Sequence, residues 1–168
     1  MADVRFKDFS INVKAAIDEE TIAWLYTWGS ETASQASRNC AMDDETGRKL
    51  KGSYKSVVDE GDGKATIGSP MEAAFWEEWG TGTYAAHGDG RKGWWVFIEG
   101  QGSQGGGKSY SSREEAEEAA NFLRKVKHLE AYATNGRKPN YTLEKSFLSV
   151  KPKAIADLEN TLKRRLDK

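Results

Sequence analysis

Gly102-Ser103-Gln104-Gly105-Gly106-Gly107-Lys108-Ser109 has the residue order of a phosphate loop. Such a loop cradles phosphates with backbone N–H groups and places its Lys and Ser at the start of the next helix. The helix signal here comes later, at Ser112-Arg113-Glu114-Glu115, and the rest of the chain shows no buried strand ending in an aspartate to hold magnesium. Two further glycine patterns have the form of dinucleotide fingerprints, Gly88-Asp89-Gly90-Arg91-Lys92-Gly93 and Gly80-Thr81-Gly82-Thr83-Tyr84-Ala85. A strand pattern follows the first where a helix is required, and Tyr84 would crowd a pyrophosphate in the second. All three read as turn chemistry.

The remaining candidates for catalysis are few. Cys40, His87 and His128 are the only cysteine and histidines, and nothing in their spacing brings a nucleophile to a base. Glu77 and Glu78 are adjacent; on a strand they point to opposite faces and cannot share acid–base work. Asp43-Asp44-Glu45 lacks the ligand spacing of a calcium loop, and Arg48 and Lys49 follow at once. No catalytic, cofactor or metal residue is expected, and the chain reads as a non-enzyme.

The elements that carry these residues follow from patterning. With 168 residues and 38% hydrophobic content, the chain reads as one domain burying roughly 70% of its unfolded surface. Its 25 basic and 26 acidic side chains leave a net charge of −1, which argues against a dedicated nucleic-acid binder. It has neither a membrane-length apolar run nor a signal-peptide core, so a cytoplasmic protein is expected. Residues 4–13 alternate like a short strand. A long helix is predicted from Asp18 to Ala41, with a stripe of Ile22, Gly29, Ala36, Tyr26, Ala33 and Cys40. Gly29 implies a close packing partner, because glycine inside a helix costs about 1 kcal/mol against alanine. Trp24 and Trp28 widen the apolar face. The alternative for them is contact with another subunit.

Strands are predicted at Ser53–Val58 and Lys64–Gly68 around an Asp62-Gly63 turn. Ala73–Trp79 reads as strand in preference to one helical turn, and Trp94–Glu99 as strand. A glycine-rich loop spans 100–112, and a helix with a capping box spans 113–133, stopped by Asn135-Gly136. Lys138–Val150 reads as extended. Pro152 then opens a C-terminal helix with a stripe of Ile155, Leu158, Leu162 and Leu166. The fold class is α+β: an antiparallel sheet of about four strands with a long N-terminal helix, an added middle helix and a C-terminal helix.

Three of the six tryptophans fall within residues 79–97, beside glycines, so large rings ride on tight turns that something must cover. The segment reads as a long hairpin with aromatic arms, either an ordinary sheet element or a loop that docks on a neighbouring subunit. In a strand Trp94 and Trp95 point to opposite faces, which makes one of them an interface anchor. Glu78-Trp79-Gly80-Thr81-Gly82-Thr83-Tyr84-Ala85, followed by Gly90-Arg91-Lys92-Gly93-Trp94-Trp95-Val96, resembles a signature of the head–tail neck family of long-tailed phages, the "gene ten"-like tail-completion proteins. Thr46-Gly47-Arg48-Lys49-Leu50-Lys51-Gly52-Ser53 is similar to that family's Thr-Gly-X-Leu-X-X-Ser element. Glu144-Lys145-Ser146-Phe147-Leu148 sits where the family has a Pro-Phe-Leu step before its last helix, although here the proline is missing. The resemblance spans residues 10–166, with 111–138 longer than the usual connection.

The resemblance implies a structural phage or prophage protein at the head–tail junction, acting by subunit assembly. Its implied partners are itself, in a six-fold ring, together with portal-side head-closure proteins and tail-terminator or tail-tube proteins. The resemblance further implies passage of DNA through the assembled channel without specific binding, and no membrane partner. Its implied locations are the host cytoplasm and then the virion neck. The residues carrying the match are Thr46, Gly47, Leu50, Ser53, Glu78, Gly80, Thr81, Gly82, Tyr84, Arg91, Trp94, Trp95 and Phe147. Two alternatives stay open: a P-loop-like nucleotide enzyme using 102–109, and a prophage-encoded module for a peptide or glycan.

Overall fold

The computed structural model of the protein describes residues 19–99 and 107–166. The expected strand at 4–13, most of the Gly102–Ser109 motif and the side chain of Leu166 lie outside them. By their contacts the residues group into two compact units. One holds the described chain up to Glu78 and again from Asn140; the other is Trp79–Pro139.

In the first unit, helix α1 (Glu19–Asn39) is followed by a short helix α2 (Glu45–Lys51) and by strands β1 (Lys55–Asp59) and β2 (Lys64–Gly68). Helix α3 (Glu72–Trp79) comes next in sequence. The acidic loop ends α1 as expected, and it also starts α2, because Asp44 Oδ1 accepts from Gly47 N at 2.7 Å. β1 and β2 form the predicted antiparallel hairpin, Val57 opposite Thr66. Its inner face, with Ala65 and Ile67 buried, packs on α1. The backbones meet closely at Gly29, where an added Cβ would collide with Ser56 Oγ and lie 3.1 Å from Ser56 Cβ. The predicted stripe is buried at Gly29, Ala33, Ala36 and Cys40, partly buried at Ile22 and exposed at Tyr26, while Leu25, outside the stripe, is fully buried.

The C-terminal helix (Thr142–Leu166) begins ten residues before the proline expected to open it. Pro152 is instead inside the helix. It is tolerated because Pro152 and Leu148 are both exposed, so water can serve the Leu148 carbonyl that lacks its amide partner. The buried side is Leu143, Ser146, Val150 and Ala154 with Leu158 partly covered, while Ile155 and Leu162 face solvent. Trp24 Nε1 donates to the Ala154 carbonyl and Trp28 Nε1 to Asp157 Oδ2, each at 2.9 Å. Both tryptophans are thereby engaged within one chain, as the single broad core face requires.

Glu72–Trp79 is a helix and not the strand that the alternation of Phe75, Glu77 and Trp79 suggested. Ser69-Pro70-Met71-Glu72 is a helix start: the Ser69 hydroxyl accepts from Met71 N at 3.1 Å, and proline fits the first turn. Helical spacing buries Ala73 with Glu77 and Ala74 with Glu78, leaving the two carboxylates 0% and 3% exposed. Glu78 accepts from Leu143 N at 2.7 Å and Glu144 N at 3.2 Å, so it caps the first turn of the C-terminal helix from outside that helix. Glu77 Oε1 accepts from Ala41 N at 2.6 Å, Asn140 Nδ2 at 3.0 Å and Thr142 Oγ1 at 3.3 Å. The end of α1, α3 and the start of the last helix are joined through these two side chains.

The second unit contains a 3₁₀ turn (Gly82–Tyr84), β3 (Trp94–Ile98), β4 (Ser109–Tyr110), α4 (Arg113–Lys127) and β5 (Ala131–Thr134). The last helix, Thr142–Leu166, is therefore α5. β3 lies between β4 and β5, antiparallel to both. The expected sheet is thus divided among the described residues into one of two strands and one of three, and the fold is α+β. The long hairpin through residues 77–97 is absent, since its first arm is helix and 3₁₀ turn. α4 starts at its predicted cap, with Ser112 Oγ accepting from Glu115 N at 3.2 Å. It stops at His128, not at Ala133: His128 adopts φ 53°, and Ala131–Thr134 pair with β3. Asn135-Gly136 ends that strand instead of a helix.

Two predictions follow from this packing. Gly29→Ala should gain about 1 kcal/mol of helix propensity yet lose more through displacement of Ser56, for a net loss of about 1–3 kcal/mol. An unchanged or raised urea midpoint would show that the hairpin yields freely. Glu78→Ala should cost about 2–4 kcal/mol, because two buried backbone donors lose their acceptor. Glu78→Gln, which keeps one oxygen, should fall between parent and alanine variant in the same titration.

Candidate functional site

The region most able to act on another molecule is the second unit's sheet. Alternation along β3 divides its side chains between two faces. Val96 and Ile98 lie opposite Ala133 and Ala131. That face is covered by α4, with Ala116, Ala120 and Ala131 fully buried. Trp95 and Phe97 lie opposite Thr134 and Tyr132 on the other face. Here Phe97 is 38% and Tyr132 46% exposed, and Tyr84, on the nearby 3₁₀ turn, is 40% exposed.

A backbone clasp holds that turn. Thr81 N donates to the Arg137 carbonyl at 2.8 Å, and Thr81 Oγ1 accepts from Arg137 N at 3.0 Å. Thr83 N and Oγ1 both donate to the Asn135 carbonyl, at 2.9 and 3.0 Å. The flanking Gly80 and Gly82 have φ of +72° and +60°, the left-handed backbone expected of this motif. At Gly82 a Cβ would also strike the Asn135 carbonyl and come within 2.5 Å of Trp95 Cη2. The indole of Trp95 is therefore packed against bare backbone on one side. The Arg91 guanidinium also lies over that ring, 5.0 Å from its centroid. Arg91 is oriented by Ser109 Oγ, at 3.0 Å from Nη2, and by the Gly107 carbonyl.

Trp94 and Trp95 do point to opposite faces, but neither stands free as an anchor. Each is half-buried, with Arg113 6.0 Å from the Trp94 ring. The exposed aromatics of this unit are Tyr84, Phe97 and Tyr132 and, on α4, Phe122. Lys138 Nζ lies 5.8 Å from the Tyr84 ring. Tyr132 donates to Glu130 Oε2 at 3.1 Å, a bond that raises its pKa.

The other residues of the family-like motifs sit elsewhere, mostly in structural roles. Thr46 is exposed in the first turn of α2. Gly47 is buried under the Met42 carbonyl, and Leu50 is fully buried. Ser53 Oγ donates to the Leu50 carbonyl at 2.8 Å and lies 2.6 Å from Ser69 Oγ. Phe147 is half-buried inside α5, not ahead of it, with Lys151 Nζ 5.8 Å from its ring. Glu78 is the helix cap already described. Gly80, Thr81, Gly82, Tyr84, Arg91, Trp94 and Trp95 lie in the second unit, and Thr46, Gly47, Leu50, Ser53, Glu78 and Phe147 in the first.

Phe97 and Tyr132 were not singled out from the sequence. The alternation Trp95, Phe97 was available as a signal. Tyr132 was hidden because its segment read as the end of a helix. Among the described residues the groups brought together here are rings, a phenol and cations. Ser109, which a phosphate loop would place at a helix start, lies in β4, with Lys108 just before it; its helix begins at Arg113. Among the described residues no group of three or more His, Cys, Asp or Glu could hold a metal ion, and no helix is long and apolar enough to cross a membrane. Compared with family models, with curated proteins and with solved structures, the chain has no match.

The clasp yields a further prediction. Gly82→Val should destabilise by more than about 2 kcal/mol, combining left-handed strain with the collision at Trp95. It should also raise the accessibility of Trp95, read by fluorescence quenching. Parent-like stability and quenching would mean that the turn relaxes without cost.

Proposed function

We propose that the protein is a structural component of a phage or prophage head–tail junction that acts by assembling with copies of itself and with portal-side and tail-side proteins. The observation that carries this reading is the open face of the three-stranded sheet. Phe97 and Tyr132 stand exposed and opposite one another there, on a support stiffened by the Gly80-Thr81-Gly82 clasp. Exposed aromatics on a rigid element supply contact area at little entropic cost, which is the usual make-up of interface anchors.

The motif resemblance supplies the particular setting of a neck ring, and the clasp explains how the motif serves it. Glycines and Thr81 hold the turn, Arg91 and Gly82 enclose Trp95, and the neighbouring aromatics make contact. Repeated head-to-tail use of one face by identical subunits closes as a ring when the rotation permits. The protein would work in the host cytoplasm during assembly and remain in the virion neck.

Reconstitution with portal-side and tail-side proteins tests the reading. The double variant Phe97→Thr, Tyr132→Thr, a cross-strand pair the sheet accommodates, should stay folded with a near-parent unfolding midpoint and lower head–tail joining by about tenfold or more. Undiminished joining would remove this face from the interface. Absence of the parent protein from joined particles would remove the assembly role itself.

A further inference from the structure

The first unit carries a groove of ≈ 670 Å³ between one side of α1 and the start of β1. Ser30, Ala33, Ser34 and Ser37 form its α1 wall, four small side chains on one helix face. Tyr54, Lys55 and Ser56 form the opposite wall. No residue of β2 lines it, so the groove lies on the side of β1 away from its partner strand. Among the described residues β2 is the only strand paired with β1. Alternate residues of β1 therefore direct their N–H and C=O groups outward, a template for another strand. Tyr54 is 9% exposed, and its hydroxyl and that of Ser56 are buried without a hydrogen-bond partner.

Charge is distributed unevenly along the groove. Arg38, Lys51 and Lys55 surround the end where β1 begins. Lys55 has no ion pair among the described residues. Arg38 meets Glu31 at 2.8 Å and Lys51 meets Asp43 at 2.7 Å, in pairs open enough to solvent to exchange partners readily. The other end is acidic: Tyr26 donates to Glu60 Oε1 at 2.9 Å, and Asp59 is adjacent.

We propose that this groove binds an extended acidic peptide segment of a partner protein, added to β1 as a third strand. Main-chain hydrogen bonds to the free edge would supply affinity, as in strand addition generally. The serine-and-alanine wall admits small side chains on the strand face turned toward α1. Carboxylates would meet Lys55, Arg38 and Lys51 at one end, while Asp59 and Glu60 repel them at the other and so set the register. The site is in the other unit from the aromatic face and stands independently of the assembly reading.

A fluorescein-labelled octapeptide, Glu-Ala-Glu-Ala-Ser-Ala-Ser-Ala, with its carboxylates confined to one half, serves as the probe. Anisotropy should show saturable binding, and the amide resonances of Lys55–Asp59 should shift on titration. Lys55→Glu, at an exposed position, should weaken binding about tenfold or more without altering the melting temperature. N-methylation of alternate peptide residues, which leaves charge and protein intact, should weaken it similarly. Failure of the parent peptide to saturate, equal binding of the N-methylated peptide, or equal binding of a Lys-Ala repeat would each overturn the proposal.

Discussion

The first unit depends on two adjacent carboxylates that accept backbone N–H groups from elsewhere in the chain. A buried carboxylate is tolerated only when donors replace the water it has lost. Glu77 and Glu78 find theirs at Ala41, Asn140, Thr142, Leu143 and Glu144. The exchange runs both ways. The first amides of α5 have no partner within their own helix, and Glu78 supplies one while placing negative charge at the positive end of the helix dipole. Asn140 N and Tyr141 N also donate to the carbonyls of Glu77 and Glu78. With α5 anchored at its start, its buried side meets α1, and the indoles of Trp24 and Trp28 can reach Ala154 and Asp157.

The second unit solves a different problem. Its buried side chains under α4 are alanines, which bury little area each. Backbone-to-backbone contact makes up part of the difference, and positive-φ glycines allow the chain to come close enough. The same closeness leaves Trp95 a flat surface to rest on, so a motif rich in glycine and tryptophan is consistent as a unit: the glycines make room and the ring fills it. Aromatics on the uncovered face, Phe97 and Tyr132, have no such cover within the unit.

The two units also differ in how they present surface. One offers rings on an open sheet face, suited to large apolar contact. The other offers a strand edge unpaired among the described residues, beside a wall of small residues with cations at one end. Among the described residues, one surface is defined by exposed rings and the other by backbone groups, small side chains and charge.

Local chemistry made much of this legible in advance. The span of α1 followed from its apolar spacing, the β1–β2 hairpin from Asp62-Gly63, β3 from its β-branched and aromatic content, and the start of α4 from its capping box. Positive φ at Gly80 and Gly82 was implied by bulky neighbours on a tight turn. These features are set by interactions within a few residues, so the sequence alone determined them. Long-range partners decided the rest. Glu72–Trp79 has a local helix start at Ser69, but its two carboxylates can be buried on that helix only because they are met by groups such as the Leu143 amide, some 65 residues away. α5 extends back past Pro152 because Glu78 caps it at Thr142. Ala131–Thr134 leave the helix they seemed to continue because β3 offers its edge. Which aromatics stay exposed was equally invisible, since alternation separates two faces but only the position of α4 determines which one is covered.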